Sequence, residues 1–345
     1  MLRGKLAKEA MFYSYDSDKD LVLCRLCPHY CRIKEDETGR CRVRGREGNK
    51  LISLNYGECA SYCLDPIEKK PLYHFFPGNH ILSIGSVGCN FSCEFCQNWN
   101  IAHQFERVNT AAVTPGDILE IIEKRVPAEH QLGVAYTYNE PTIWYEFIYD
   151  TSRLIQEKGL KNVLVTNGFI NTEPLEKILP YIDAMNIDVK SFTQEFYHKY
   201  CGGSLKPVMR TVELAASSCH VELTTLIIPD LNDSPEEIER MVDWIAGINP
   251  EIPLHISRYF PNYRMAREAT PENTLERARE IALKKLRYVY TGNLFGSDYA
   301  STYCPQCGEL LIHRMGFTIN NQGVDENFNC RHCGEKITIM GKIKA

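Results

Sequence analysis

The chain has 345 residues, of which 44% are apolar and 24% charged, and a formal net charge of −5. This length exceeds one typical domain of ~100–200 residues, and the composition gives a globular core, not a disordered or fibrous chain. The negative balance offers no basic field to nucleic acid or to an acidic membrane surface.

No apolar run approaches the ~20 residues of a membrane-spanning helix. The opening MLRGKLAKEAMFYSYDSDKD has no signal-peptide core, so a cytoplasmic protein without membrane attachment is expected. Fifteen cysteines, an odd number, cluster in three places. A secreted disulfide scaffold is short and has an even count; in a reducing compartment, grouped cysteines bind metal or do redox chemistry.

In chain order, residues 1–78 form a Cys-rich N-terminal region in which Gly39, Gly45, Gly48 and Gly57 punctuate brief strands. Cys24, Cys27, Cys31 and Cys41 have the spacing C-x2-C-x3-C-x9-C, a set that can hold an auxiliary iron–sulfur cluster or a zinc. The pair Cys59 and Cys63 offers a substitute for one of the four.

Residues 79–300 have a different texture. Apolar strand-like runs recur at 81–87, 133–138, 162–167, 184–189, 221–228 and 253–260. Helical spacing fills 114–125, 142–158 and 234–248 between them. Thr114, Thr172 and Asp233 or Ser234 stand at N-cap positions, and Pro115 and Pro235 suit a first helical turn. Six alternations of strand and helix predict a parallel α/β sheet, either doubly wound or a full or partial β/α barrel, with function at the carboxyl ends of its strands.

Directly after the first of these strands, GCNFSCEFCQNWN places Cys89, Cys93 and Cys96 in the spacing C-x3-C-x2-C, with Phe91 and Phe95 between them. Three thiolates on one loop can hold three irons of a [4Fe–4S] cluster and leave the fourth open to a small ligand, as a catalytic zinc keeps one open position. The plainer alternatives are a zinc site or unligated thiols. Cys201 and Cys219 read as unligated.

Residues 301–345 carry Cys304, Cys307, Cys330 and Cys333 as two CxxC knuckles, the pattern of a zinc-ribbon-like module holding zinc or a rubredoxin-like iron. His313 and His332 read as bystanders.

The loop of Cys89, Cys93 and Cys96 resembles that of the radical S-adenosylmethionine (SAM) enzymes, over roughly 80–295. Within them the chain looks like the branch related to the pyruvate formate-lyase and other glycyl-radical activases. LDPIEKKPLYHFFPG (64–78) followed by GCNFSCEFCQNW is similar to the signature of the radical SAM member of the AmmeMemoRadiSam group. The resemblance implies a partial (β/α)6 barrel, a [4Fe–4S] cluster whose open iron binds the amine and carboxylate of SAM, and reductive cleavage to methionine and a 5′-deoxyadenosyl radical. It also implies an electron donor such as ferredoxin or flavodoxin, and other proteins of the same system as partners.

Tyr138-Asn139-Glu140-Pro141 stands where related activases carry G-G-E-P, which binds the SAM amine. Thr166-Asn167-Gly168 resembles their T-N-G, and Asp188-Val189-Lys190 their D-x-K, which holds the methionine part and ribose. Each of these polar groups also has a plain reading as a cap or loop hydrogen bond. His255, Ser257 and Arg258 on the strand at 253–260 are placed at the adenine or the substrate, with a satisfied core histidine as the other reading of His255. Arg264 and Arg267 follow in a loop that reads as solvated, with contact to an anionic substrate as the other reading.

Three functions are open at this point. The first is reductive SAM cleavage directed at a small-molecule substrate. The second is an activase acting on a partner protein, and the third a non-catalytic iron–sulfur carrier or ribbon-based nucleic-acid binder. The three-cysteine loop opposes a pure carrier, and the negative charge opposes nucleic acid.

Overall fold

The runs rich in Val, Ile and Leu become strands of one eight-stranded sheet in the computed structural model, which describes residues 4–294 and 298–344. Residues 1–3, 295–297 and 345, which belong to the three predicted divisions, lie outside the described residues. Seven of the strands are parallel: β1 (His80–Gly85), β2 (Gly133–Tyr136), β3 (Lys161–Thr166), β4 (Ala184–Asp188), β5 (His220–Ile227), β6 (Leu254–Arg258) and β7 (Val289–Gly292). Consecutive strands are neighbours throughout, without the reversal of order that defines a doubly wound sheet. β1 pairs with an antiparallel edge strand, Ser61–Pro66, instead of with β7, so the sheet is open. That edge strand comes from the region read as a separate N-terminal part, and β7 is one strand more than the sequence pattern implied.

The crossovers carry α1 (Pro115–Arg125), α2 (Tyr145–Glu157), α3 (Thr172–Ile178), α4 (Leu205–Ala216), α5 (Pro235–Ile248) and α6 (Glu272–Leu283). Because every crossover steps the same way along the sheet, the right-handed connection rule puts them on one face. α1 starts at a capping box: Thr114 Oγ1 accepts from Asp117 N at 3.2 Å, and the Asp117 carboxylate accepts from Thr114 N at 2.7 Å. Ser234, not Asp233, caps α5 by accepting from Glu237 N. Asn171, not Thr172, is the N-cap residue of α3. No helix among the described residues is long and apolar enough to cross a membrane.

Strand alternation sorts the sheet into two faces. Leu82, Ile84, Val134, Leu164, Met185, Ile187, Leu223 and Ile256 are buried in the main core with the helices, where a fully buried side chain of this kind contributes roughly 1.5–3 kcal/mol. The other face carries small and polar side chains, including Ser83, Asn186, Glu222, His255 and Tyr290, all buried. Near the amino ends of the strands this face is closed by the segment after the edge strand, whose Ile67, Leu72 and Phe75 pack on Ile81, Ala135, Val163 and Ala184. The C-terminal module, a three-stranded antiparallel sheet of Thr302–Tyr303, Leu310–Met315 and Thr318–Asn321, packs there too, sharing a core with Tyr73, Tyr288 and Tyr290.

Glu222 holds this closure together. It is fully buried and accepts from Tyr73 N (3.0 Å), His74 N (2.7 Å), His220 Nε2 (2.9 Å) and His255 Nε2 (2.6 Å). Against the cost of burial, hydrogen bonds from His220 and His255 hold its carboxyl below the usual range. His74 continues the network, with Nδ1 2.5 Å from Thr338 O and Nε2 2.5 Å from Tyr290 Oη. A carbonyl only accepts, so the network assigns the proton to Nδ1 and leaves Nε2 as acceptor for the tyrosine.

Burial pushes the His74 imidazole down to about 4. Between the ordinary histidine range and that value the unfolded chain takes up a proton that the native chain refuses. Stability should therefore fall by roughly 3 kcal/mol as pH drops through this window. Urea unfolding near neutral pH and near about pH 5 should show a shallower pH dependence in His74→Gln than in the wild type; equal slopes would count against the assignment.

Candidate iron–sulfur and cofactor site

At the opposite, carboxyl end of the sheet, β1 runs out at Gly85 into the loop of Cys89, Cys93 and Cys96. Gly88 has φ of +90°, and a Cβ there would lie 2.8 Å from both Cys41 O and Val43 Cγ1, so only glycine lets the loop press against the N-terminal region. Phe91 and Phe95 are buried and anchor the loop in the core. Phe91 N points at Cys89 Sγ (3.4 Å), and Asn167 Nδ2 lies 4.0 Å from the same sulfur. The three thiols face one another within electrostatic reach, yet no three sulfurs here lie within 4.8 Å. That is wider than the ~3.8 Å sulfur separation around one tetrahedral ion with ~2.3 Å bonds. Wide spacing, N–H donors at sulfur and a buried loop fit a multi-iron cluster.

Burial pushes the Cys96 thiol up to about 11 and the Cys89 thiol well above its ordinary value. Cys93 behaves differently, because a fourth cysteine reaches it. Cys201, read from sequence as unligated, ends a single π-helical turn (Tyr197–Cys201) that abuts the loop: Ser92 N donates to Cys201 O at 2.8 Å and Glu94 N to Tyr200 O at 3.0 Å. With the Cys201 thiol beside it and Lys190 nearby, the Cys93 thiol is held below its ordinary value in spite of burial. Such π turns concentrate at functional sites.

The next strand ends clamp this loop. Asn139 is a strap: its Oδ1 accepts from Ser86 N (3.0 Å) and its Nδ2 donates to Gly88 O (2.9 Å). Both ends of the amide are thus committed to the cysteine loop, not presented to a ligand. Tyr138 has φ of +71°, sends its hydroxyl to Asp65 (2.7 Å) and uses its carbonyl to accept from Asn98 Nδ2 (2.7 Å). Glu140 is buried and joins β2 to β3: it accepts from Thr142 N (3.0 Å), Thr166 Oγ1 (2.6 Å) and Asn167 N (2.8 Å). Its carboxyl is pushed up by burial, against these hydrogen bonds. Asn167 Nδ2 donates to Asn90 Oδ1 (2.9 Å), and Asn90 Nδ2 donates to Phe169 O (2.9 Å), closing the circuit back to the loop.

Asp188 and Lys190, at the end of β4, bind one another at 2.8 Å. The Asp188 carboxylate is about one-third exposed, and Lys190 lies over the Phe95 ring at 6.0 Å. Although burial opposes it, Asp188 and the thiols of Cys93 and Cys201 keep Lys190 charged, above its ordinary range.

Two residues expected at the adenine or substrate go elsewhere. His255 is the satisfied core histidine of the Glu222 network, because β6 turns its ring toward the acid on β5. Arg258 spends its guanidinium on Thr270 O (2.8 Å) and Glu272 (3.1 Å). Arg267 is likewise held by Pro229 O and Asp230.

A cavity of about 320 Å³ opens beside the loop, lined by Pro28, His29, Arg40, Phe169, His198 and Gly202 among others. Neither Arg40 nor the two histidines was singled out from the sequence, although Arg40 and His29 sit within the N-terminal cysteine motif.

In the C-terminal module Cys304, Cys307, Cys330 and Cys333 have sulfurs all within 4.8 Å, with 3.6 Å between Cys304 and Cys333 and 3.8 Å between Cys307 and Cys330. These separations match the edges of a tetrahedron around one ion with bonds of about 2.3 Å.

Residues 83–245 match the model of the radical SAM superfamily. An uncharacterized protein of Methanocaldococcus jannaschii is 43% identical over 341 residues, 96% of this chain and 99% of that protein. The pyruvate formate-lyase-activating enzyme of Clostridium pasteurianum is 25% identical over 47% of this chain and 67% of its own. The (2S)-3-sulfopropanediol dehydratase activating enzyme of Klebsiella oxytoca is 25% identical over 33% of this chain and 37% of its own. With the cysteine loop at the first strand end, these matches place the chain in the radical SAM superfamily, to which it belongs. Within that superfamily it is related to the activating enzymes of the pyruvate formate-lyase group.

Two outcomes follow from this geometry. Asn139→Ala should cost about 1–3 kcal/mol by leaving Ser86 N and Gly88 O unpaired, and should lower iron retention; an unchanged melting temperature and iron content would contradict the strap. In the full chain the C-terminal module should hold one zinc or iron, beyond any cluster iron, that is lost in Cys304→Ser/Cys330→Ser with a drop in thermal stability. Elemental analysis reads that loss directly.

Proposed function

We propose that this chain cleaves SAM reductively and directs the resulting radical at a small anionic molecule. The carrying observation is that hydrogen bonds from the ends of β2 and β3 immobilise the loop of Cys89, Cys93 and Cys96, while the charged pair at the end of β4 stays partly exposed beside it. When bound, a [4Fe–4S] cluster and SAM supply one-electron cleavage of the sulfonium to methionine and a 5′-deoxyadenosyl radical. The chain's own residues do the rest. Lys190 suits a carboxylate and Asp188 an ammonium, so the pair can exchange its mutual bond for the two ends of an amino acid. Tyr138, Asn139, Glu140, Thr166 and Asn167 act as positioning residues that fix where the cysteines stand.

A low-potential protein such as ferredoxin or flavodoxin would deliver the electron. The cavity of about 320 Å³ lies within the range of small-ligand pockets, and the Arg40 guanidinium in its lining favours an anionic occupant. A second reading, activation of a partner protein, is favoured by the similarity to activating enzymes. A metabolite screen scored by substrate-dependent 5′-deoxyadenosine release, run beside trapping of a protein partner, separates the two.

Replacing Cys89, Cys93 and Cys96 together with Ala should abolish SAM cleavage under dithionite. Asp188→Asn and Lys190→Met should each weaken SAM binding roughly 10- to 100-fold with little change in melting temperature, since a charge-assisted bond is worth ~1.5–3 kcal/mol. Glu140→Gln should instead lower the melting temperature. Full SAM affinity in both Asp188→Asn and Lys190→Met would sink the assignment.

A further inference from the structure

Cys24, Cys27, Cys31 and Cys41 play no part in the reading above, yet the fold gathers them. Cys24 ends the strand Leu21–Cys24, and its N–H donates to Cys31 O at 2.9 Å. Cys27 heads the turn closed by Tyr30 N and Cys27 O, and Cys41 lies in the turn closed by Arg42 N and Gly39 O. Every pair among the four thiols is within electrostatic reach, and Cys24, Cys27 and Cys41 are buried. Cys59 and Cys63 are not part of the group; their thiols hydrogen-bond Ser61 O and Leu64 O.

As the four thiols stand, their spacing is too wide for a single tetrahedral ion. No three of these four sulfurs lie within 4.8 Å, whereas the ribbon sulfurs all do. One tetrahedral ion draws its sulfurs to about 3.8 Å. A four-iron cubane keeps its cysteine sulfurs about 6 Å apart, because the cluster's width adds to the iron–sulfur bonds. Arg40 N points at Cys31 Sγ at 3.4 Å, and the backbone beside Cys24, Cys27 and Cys41 favours their thiolate forms against burial.

A second observation is independent of the cysteines' own geometry. Arg44 is only 1% exposed, and its charge acts on Cys24 and Cys41. Nη2 donates to Glu146, but Nε and Nη1 are buried with no partner. A buried guanidinium with two idle donors beside a cluster of thiols is an unsatisfied group until an anion is present.

We propose that Cys24, Cys27, Cys31 and Cys41 hold a second [4Fe–4S] cluster, with Arg44 as its buried countercharge. Four protein ligands leave no open iron, so this cluster binds no substrate. It sits against the first cysteine loop. Gly88 is pressed on Cys41 O, His29 Nε2 donates to Asn90 O at 2.7 Å, and the His29 ring lies 5.0 Å from Phe169, itself 4.9 Å from Phe91.

The test counts acid-labile sulfide, which neither zinc nor a rubredoxin-type iron contributes. Anaerobically reconstituted full-length chain carrying Cys89→Ala, Cys93→Ala and Cys96→Ala should retain about four sulfides and four irons beyond the ribbon metal, with the EPR signal of a reduced cluster under dithionite. The reciprocal Cys24→Ser/Cys41→Ser variant should fall from about eight sulfides to about four while still cleaving SAM; because it reports the first cluster separately, it distinguishes failure of this proposal from failure of the SAM reading. Absence of sulfide from the first variant, with a second zinc or no metal in its place, would overturn the proposal. So would an unchanged sulfide count in the second.

Discussion

Hydrogen bonding between neighbouring strand ends is the constraint on which this molecule depends. A loop carrying three thiols has no regular backbone pairing of its own, so its shape must be imposed from outside. Asn139 imposes it with one amide, accepting from Ser86 N and donating to Gly88 O. Glu140 then ties β2 to β3 through Thr166 and Asn167, and Asn167 returns to Asn90 within the loop. Because these groups are buried and mutually satisfied, losing one exposes others to an unpaid desolvation cost. Sequential parallel strands make the arrangement possible, since they bring consecutive strand ends side by side.

The two ends of the sheet interior divide the work. At the amino ends, Glu222, His74, His255 and Tyr290 form a polar network that closes the floor and fastens the C-terminal module. At the carboxyl ends, charged and thiol groups are left with bonds they can exchange. This contrast explains why two residues of similar chemistry have different fates. His255 lies low on β6 and is consumed by the floor, whereas Asp188 lies at the tip of β4 and stays partly exposed.

Much of this was legible from the chain. The six apolar runs became parallel strands because β-branched and aliphatic residues suit a sheet covered on both faces. Each CxxC knuckle is a local turn legible in the sequence, and the antiparallel strands Leu310–Met315 and Thr318–Asn321 between them bring the two together. The missed strands carry weaker signals: Val289–Gly292 has four residues and Ser61–Pro66 includes Asp65 and Pro66. What could not be read was contact between distant positions. Cys201 meets Cys93 only because one helical turn widens by a residue, and no periodicity announces that. Asn139 has the right chemistry for a ligand; its commitment to Ser86 and Gly88 appears only when β1 and β2 lie side by side.

The contacts of residues 338–344 set a timetable for the protein's synthesis. Met340 N donates to His74 O, Phe76 N to Met340 O, and Lys344 N to Pro77 O, while the His74 ring meets Thr338 O, 264 residues further along. A ribosome adds roughly 5–20 residues per second, so the segment around His74 waits on the order of tens of seconds for these partners. During that interval the strands can pair and the helices can cover one face, but the polar floor has no lid. The floor is therefore sealed by residues made well after the sheet it closes, and the segment around His74 reaches its native form together with residues 338–344.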